Sequence, residues 1–148
     1  MVKHVIGIDP GQKTGLARFE DGNLKYLYTL TPQATLDMLA SIPASALVVL
    51  EDSTLQSKVF IPHEHMSRAA ALKVARNIGE IDGLCRIIKG MCEANDIRVL
   101  SISPKDKGRK QDATDFSALT GWGGRSNQHE RDAALVAWRY RFGFTGGA

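Results

Sequence analysis

The first thirty residues restrict the fold most. They hold three apolar segments, Val5–Asp9, Thr14–Phe19 and Leu24–Leu30, with gaps too short for a helical crossover. Strands joined by so few residues pair antiparallel. In the first segment Ile6 and Ile8 share one face, while Val5, Gly7 and Asp9 share the other. Asp21-Gly22 has the chemistry of a tight turn, and beyond it Leu24, Tyr26, Tyr28 and Leu30 alternate. The expectation is a meander that opens the sheet.

A different kind of strand comes next. Thr31-Pro32 marks a helix start, a capping residue and then Pro at the first helical position, for a helix reaching Ser41. The run ALVVLE, Ala46–Glu51, is apolar without alternation, as in a strand covered on both faces. After a loop containing Pro62, a helix is expected from Glu64 to Ala94. Its apolar stripe is Ala70, Val74, Ile78, Ile81, Cys85, Ile88 and Cys92, with Leu84 and Met91 alongside. Ile97–Ile102 reads as a fifth strand, a short helix ends at Leu119 before Gly121, and a last helix covers Gln128–Tyr140.

The order β-β-β-α-β-α-β-α-α predicts an α/β fold: a mixed five-stranded sheet, three antiparallel strands and then parallel ones, flanked by helices. At 148 residues, 43% of them hydrophobic, with no repeat or linker, the chain is expected to form one domain over residues 1–148. It has no apolar run of membrane-spanning length and no export leader, so the expected setting is cytoplasmic, with no membrane partner. Cys85 and Cys92, seven apart on one helix face, stand ~10 Å apart along its axis, which suits core thiols rather than a disulfide.

The net charge of +3 is unevenly spread. Residues 1–64 carry five Lys and Arg against seven Asp and Glu, and residues 65–148 carry fourteen against nine. A basic rear part suits a polyanionic partner, although solvated lysines produce the same balance in many soluble domains.

Three acids are candidates for chemistry. Asp9 ends the first strand and Glu51 the fourth; if those strands are parallel neighbours, both carboxylates reach the edge where α/β sheets build their sites. The third lies in NQHERDAALVAW, Asn127–Trp138, where Asn127 and Glu130 have capping-box spacing. His129 and Asp132 share one face of the first turn, and Asp132 heads a stripe of small apolar residues suited to packing on the sheet. Each has an ordinary reading too: a turn residue for Asp9, a lysine partner for Glu51, a surface histidine for His129, a helix-dipole acid for Asp132. Together they form a hard-oxygen set with one imidazole, which suits Mg²⁺ or Mn²⁺ better than structural zinc.

GIDPG at Gly7–Gly11 running into TGLA, a strand ending in Glu51 and the closing HERDA segment resemble the RuvC-type Holliday junction resolvases of the RNase H-like superfamily. The resemblance covers nearly the whole chain in the family's order. NIGEIDG, Asn77–Gly83, and SPKDKGRK, Ser103–Lys110, are similar to further family segments.

The resemblance implies that Asp9, Glu51, His129 and Asp132 hold two divalent ions that hydrolyse a phosphodiester. Whether His129 ligates an ion or positions the water stays open. It implies a homodimer that nicks branched DNA, a four-way junction, symmetrically, with the long helix contributing to the dimer interface, in a bacterial or phage-infected cytoplasm. Lys105, Lys107, Arg109 and Lys110 are expected on phosphates flanking the cut, Lys110 foremost, with Arg125 near Trp122 also on the DNA backbone; a solvated basic loop is the plainer reading. One departure stands out. Family members often carry an aromatic shortly after the fourth-strand Glu, where this chain has Thr54, and Phe60 is the nearest ring.

Other readings remain. A nuclease of the same superfamily acting on branched DNA generally, or on structured RNA, would share the acids. A non-catalytic DNA-binding module would not need them. The sugar kinase and actin group needs two such domains, and this chain has room for one.

Overall fold

The computed structural model describes residues 2–56, 63–106 and 108–143. Its elements are β1 (His4–Asp9), β2 (Thr14–Glu20), β3 (Asn23–Leu30), α1 (Pro32–Ser41), β4 (Leu47–Glu51), α2 (Arg68–Ala94), β5 (Arg98–Ile102), α3 (Ala113–Thr120) and α4 (Gln128–Trp138). Short 3-10 turns at Ser53–Leu55 and Pro104–Asp106 follow β4 and β5. The strands form one sheet in the order β3-β2-β1-β4-β5. β1 pairs antiparallel with β2, and β2 with β3, while β1–β4 and β4–β5 are parallel. This is the mixed sheet expected from the sequence.

Helices cover both faces. On one, α1 and α2 pack Leu39, Leu84, Cys85, Ile88 and Cys92 against Ile6, Ile8, Val48 and Leu50. On the other, Phe116 of α3 and Ala133, Ala134, Val136 and Ala137 of α4 pack against Val5, Phe19, Leu47 and Val49. β4 is buried at every position because it lies between the two layers. The free thiols Cys85 and Cys92 both belong to the core. Among the described residues no helix is long and apolar enough to cross a membrane.

Four sequence expectations need correction. β3 does not keep one alternation: Arg18 pairs with Tyr26 but Phe19 with Leu24, so Lys25 is an extra residue. That bulge turns Leu24 onto the α4 face, while Tyr28 and Leu30 stay with α1 and α2. α2 begins at Arg68, not at Glu64, because Ser67 caps it by accepting from the Ala70 N–H at 3.1 Å. Only the second half of its stripe is core: Leu84, Cys85, Ile88 and Cys92 are buried, whereas Ala70 is exposed and Ile78 is 41% exposed, because the helix outruns the sheet. Finally, α4 ends at Trp138, and the chain turns through Tyr140, whose N–H reaches the Ala137 carbonyl.

Candidate active site

The parallel register of β1 and β4 sets the first two acids. Ile8 stands opposite Leu50, so one step further along both strands come Asp9 and Glu51. Strand alternation turns both toward the face that carries Val5, Leu47, Val49 and α4. Glu51 is only 7% exposed, and Asp9 is half-buried at the mouth of a cleft. The turn after Asp9 is tied down by Thr14, a fully buried residue whose hydroxyl donates to the Gly11 carbonyl at 2.9 Å.

α4 delivers the third acid, and two glycines decide how closely. A Cβ on Gly7 would strike the Ala133 carbonyl and come within 2.8 Å of the Ala137 Cβ; one on Gly15 would strike the His129 carbonyl. The helix backbone therefore rests on bare strand backbone, closer than side chains would allow. Its start is fixed by a complete capping box between Asn127 and Glu130. Thr29 of β3 extends that box, accepting from Asn127 Nδ2 at 2.6 Å and donating to Glu130 Oε2 at 2.9 Å. Asp132, 5% exposed, accepts a 2.7 Å hydrogen bond from Gln128 Nε2.

The cleft, of about 540 Å³, brings Asp9, His129 and Asp132 together with Lys110. Asn77 and Glu80 of α2 close its far side. Glu51 lies one strand over, at the same edge of the sheet. Among the described residues no three His, Cys, Asp or Glu side chains are gathered as a metal-holding group. Carboxylates with one imidazole are donors of the type that hard divalent cations take. Burial pushes the Cys85 thiol up and Cys92 to about 11, so neither is a thiolate nucleophile near neutral pH.

The basic residues are less concentrated. Lys110 lines the cleft with the acids, whereas Arg109 faces a neighbouring hollow. Lys105 is exposed in the Pro104–Asp106 turn. Arg125 is exposed, and its carbonyl accepts from Trp122 Nε1 at 2.9 Å. Lys107, Phe60 and Pro62 lie outside the described residues.

Sequence reasoning missed the group behind Glu51. Asp52 faces the opposite side of the sheet with no exposure, and Lys89 of α2 reaches its Oδ2 at 2.7 Å. Thr54 donates to Asp52 Oδ1 from its hydroxyl at 2.6 Å and from its N–H at 3.0 Å. Burial alone would raise the Asp52 carboxyl, but bonds from Lys89, Thr54 and Ser101 together outweigh it and hold the group below its ordinary value. Thr54, at the position where members of the resembled family often carry an aromatic, is thus part of this network. The only hint in the sequence was an acid directly after another acid at a strand end.

No family model matches the sequence, and no curated protein matches it. Among solved structures, the chain is similar to "T. thermophilus RuvC in complex with Holliday junction substrate", with a TM-score of 0.59 and 16% identity over 94% of this chain and 92% of that one. The fold is the RNase H-like mixed sheet flanked by helices.

Proposed function

We propose that this chain is a structure-specific DNA endonuclease that resolves four-way junctions, working as a homodimer, with Asp9, Glu51, His129 and Asp132 at its catalytic centre. The observation that carries this reading is the placement of Asp9 and Glu51 on adjacent parallel strands, facing the helix that brings Asp132. The fold shared with a RuvC solved on a Holliday junction supports it.

In this reading Asp9, Glu51 and Asp132 hold two Mg²⁺ or Mn²⁺ ions. Bound there, the ions would activate a water, clamp the phosphate and stabilise the leaving oxygen. The chain's own groups do the rest. Gln128 fixes the rotamer of Asp132 through its 2.7 Å hydrogen bond. His129, exposed at the cleft mouth, is placed to ligate an ion or to orient the attacking water. Lys110, which lines the same cleft, meets a phosphate beside the cut, and Lys105, Arg109, Lys107 and Arg125 extend the contact along the backbone.

A panel of junction, fork, flap and duplex DNA and structured RNA, incubated with Mg²⁺ or Mn²⁺, tests the proposal. Paired symmetrical nicks confined to the junction are expected. Equal cutting of forks and flaps would replace junction resolution with general debranching, and no cutting of any substrate would leave only a binding module.

A further inference from the structure

Away from the acids, the described residues enclose a larger hollow of about 680 Å³. It lies between the second half of α4, α3 and the segment that follows β5. Its walls are chemically mixed. Ser103 Oγ and Gln111 Oε1 are both buried, neither meets a hydrogen-bond partner among the described residues, and both residues line this space. Ser103 is 7% exposed, so its hydroxyl has little other access to water. A buried polar atom is costly unless something completes it.

These two groups are held in place. The Ser103 carbonyl accepts from the Asp106 N–H at 2.9 Å, and the Gln111 carbonyl accepts from Arg131 Nε at 2.9 Å. Exposed Arg109 and Arg139 add two guanidinium groups. Trp138, steadied by Arg141 at 3.9 Å from its ring centroid, supplies an aromatic wall, and Leu119, 42% exposed, an apolar one.

We propose that this hollow binds one unpaired nucleotide of a nucleic-acid strand. Gln111 Oε1 only accepts and needs an N–H or O–H donor, which the exocyclic amine or ring N–H of a base or a sugar hydroxyl supplies. The arginines suit the phosphate on that nucleotide, and the aromatic and leucine walls suit the base. An inorganic anion meets the arginines but leaves most of the space empty. Asp106 on the same wall opposes a second phosphate, which fits a single nucleotide rather than a backbone run. The inference rests on the nucleic-acid reading above, and it assigns Ser103, Gln111, Trp138 and Arg139 to binding a strand that has left its duplex.

The test uses the full ¹⁵N-labelled chain without divalent metal, titrated with a single-stranded dinucleotide, with inorganic phosphate, and with an acidic dipeptide. Metal-free conditions keep the readout independent of whether the acids cut anything. The dinucleotide should shift the Gln111 side-chain amide and the Trp138 indole N–H. Gln111→Ala and Arg139→Ala should each weaken it by at least about fivefold in chains whose remaining spectrum is unchanged. Shifts confined to Gln128, His129 and Lys110, no shifts at millimolar dinucleotide, or equal responses to phosphate or dipeptide would each overturn the proposal.

Discussion

The backbone of His129 lies directly on Gly15, and a Cβ at position 15 would collide with the His129 carbonyl. Gly15→Ala must therefore lift the start of α4 off the sheet. The expected cost is about 1–3 kcal/mol of stability, as for other overpacked sites. Because Asp132 rides on the same helix, cleavage should fall further than the loss of folded protein explains. Urea unfolding and a junction-nicking assay on the same preparation check this; wild-type values in both would show that the close approach is unimportant.

Asp9→Asn keeps the shape of the side chain and removes its charge. Divalent-dependent cleavage should drop by more than ~100-fold, while junction affinity in a gel-shift assay stays within a few fold. Nicking at the normal rate by the variant would remove Asp9 from the catalytic centre.

Lys89 and Asp52 tie α2 to the residue next to Glu51. Lys89→Met leaves a buried carboxylate without its cation, and about 3 kcal/mol should be lost, at the low end for buried pairs because Lys89 is 35% exposed. The folded-state Asp52 carboxyl lies below its unfolded value, so the stability it contributes is present above the ordinary carboxylate range. It disappears as pH falls through the lowered value. Urea midpoints between pH 7 and pH 3 should therefore fall more steeply for the wild type than for Asp52→Asn. Parallel curves would refute the linkage.

Junction binding should weaken as salt rises, because lysines and arginines displace counterions from phosphates. Lys110→Ala should lower the slope of log affinity against log salt by about 1. An unchanged slope would mean that Lys110 meets no phosphate, despite its place in the cleft.

Much of the fold was legible because it depends on local pattern. Short gaps forced β1–β3 into a meander, and the unbroken apolar run at Leu47–Leu50 marked a strand between two helical layers. The capping spacing of Asn127 and Glu130 placed the start of α4 to the residue. What stayed hidden depends on partners distant in sequence. Gly7 and Gly15 are unremarkable until α4 lies on them, and the ion pair of Asp52 with Lys89 spans two elements. The stripe on α2 runs past the core because periodicity shows which residues share a face, not how far the sheet beneath them extends.

The extra residue at Lys25 sits in β3, the outermost strand of its side of the sheet. A second molecule trying to zip onto that border would lose step with the ladder at the irregularity. Copies of this chain are thereby discouraged from stacking edge to edge through β3.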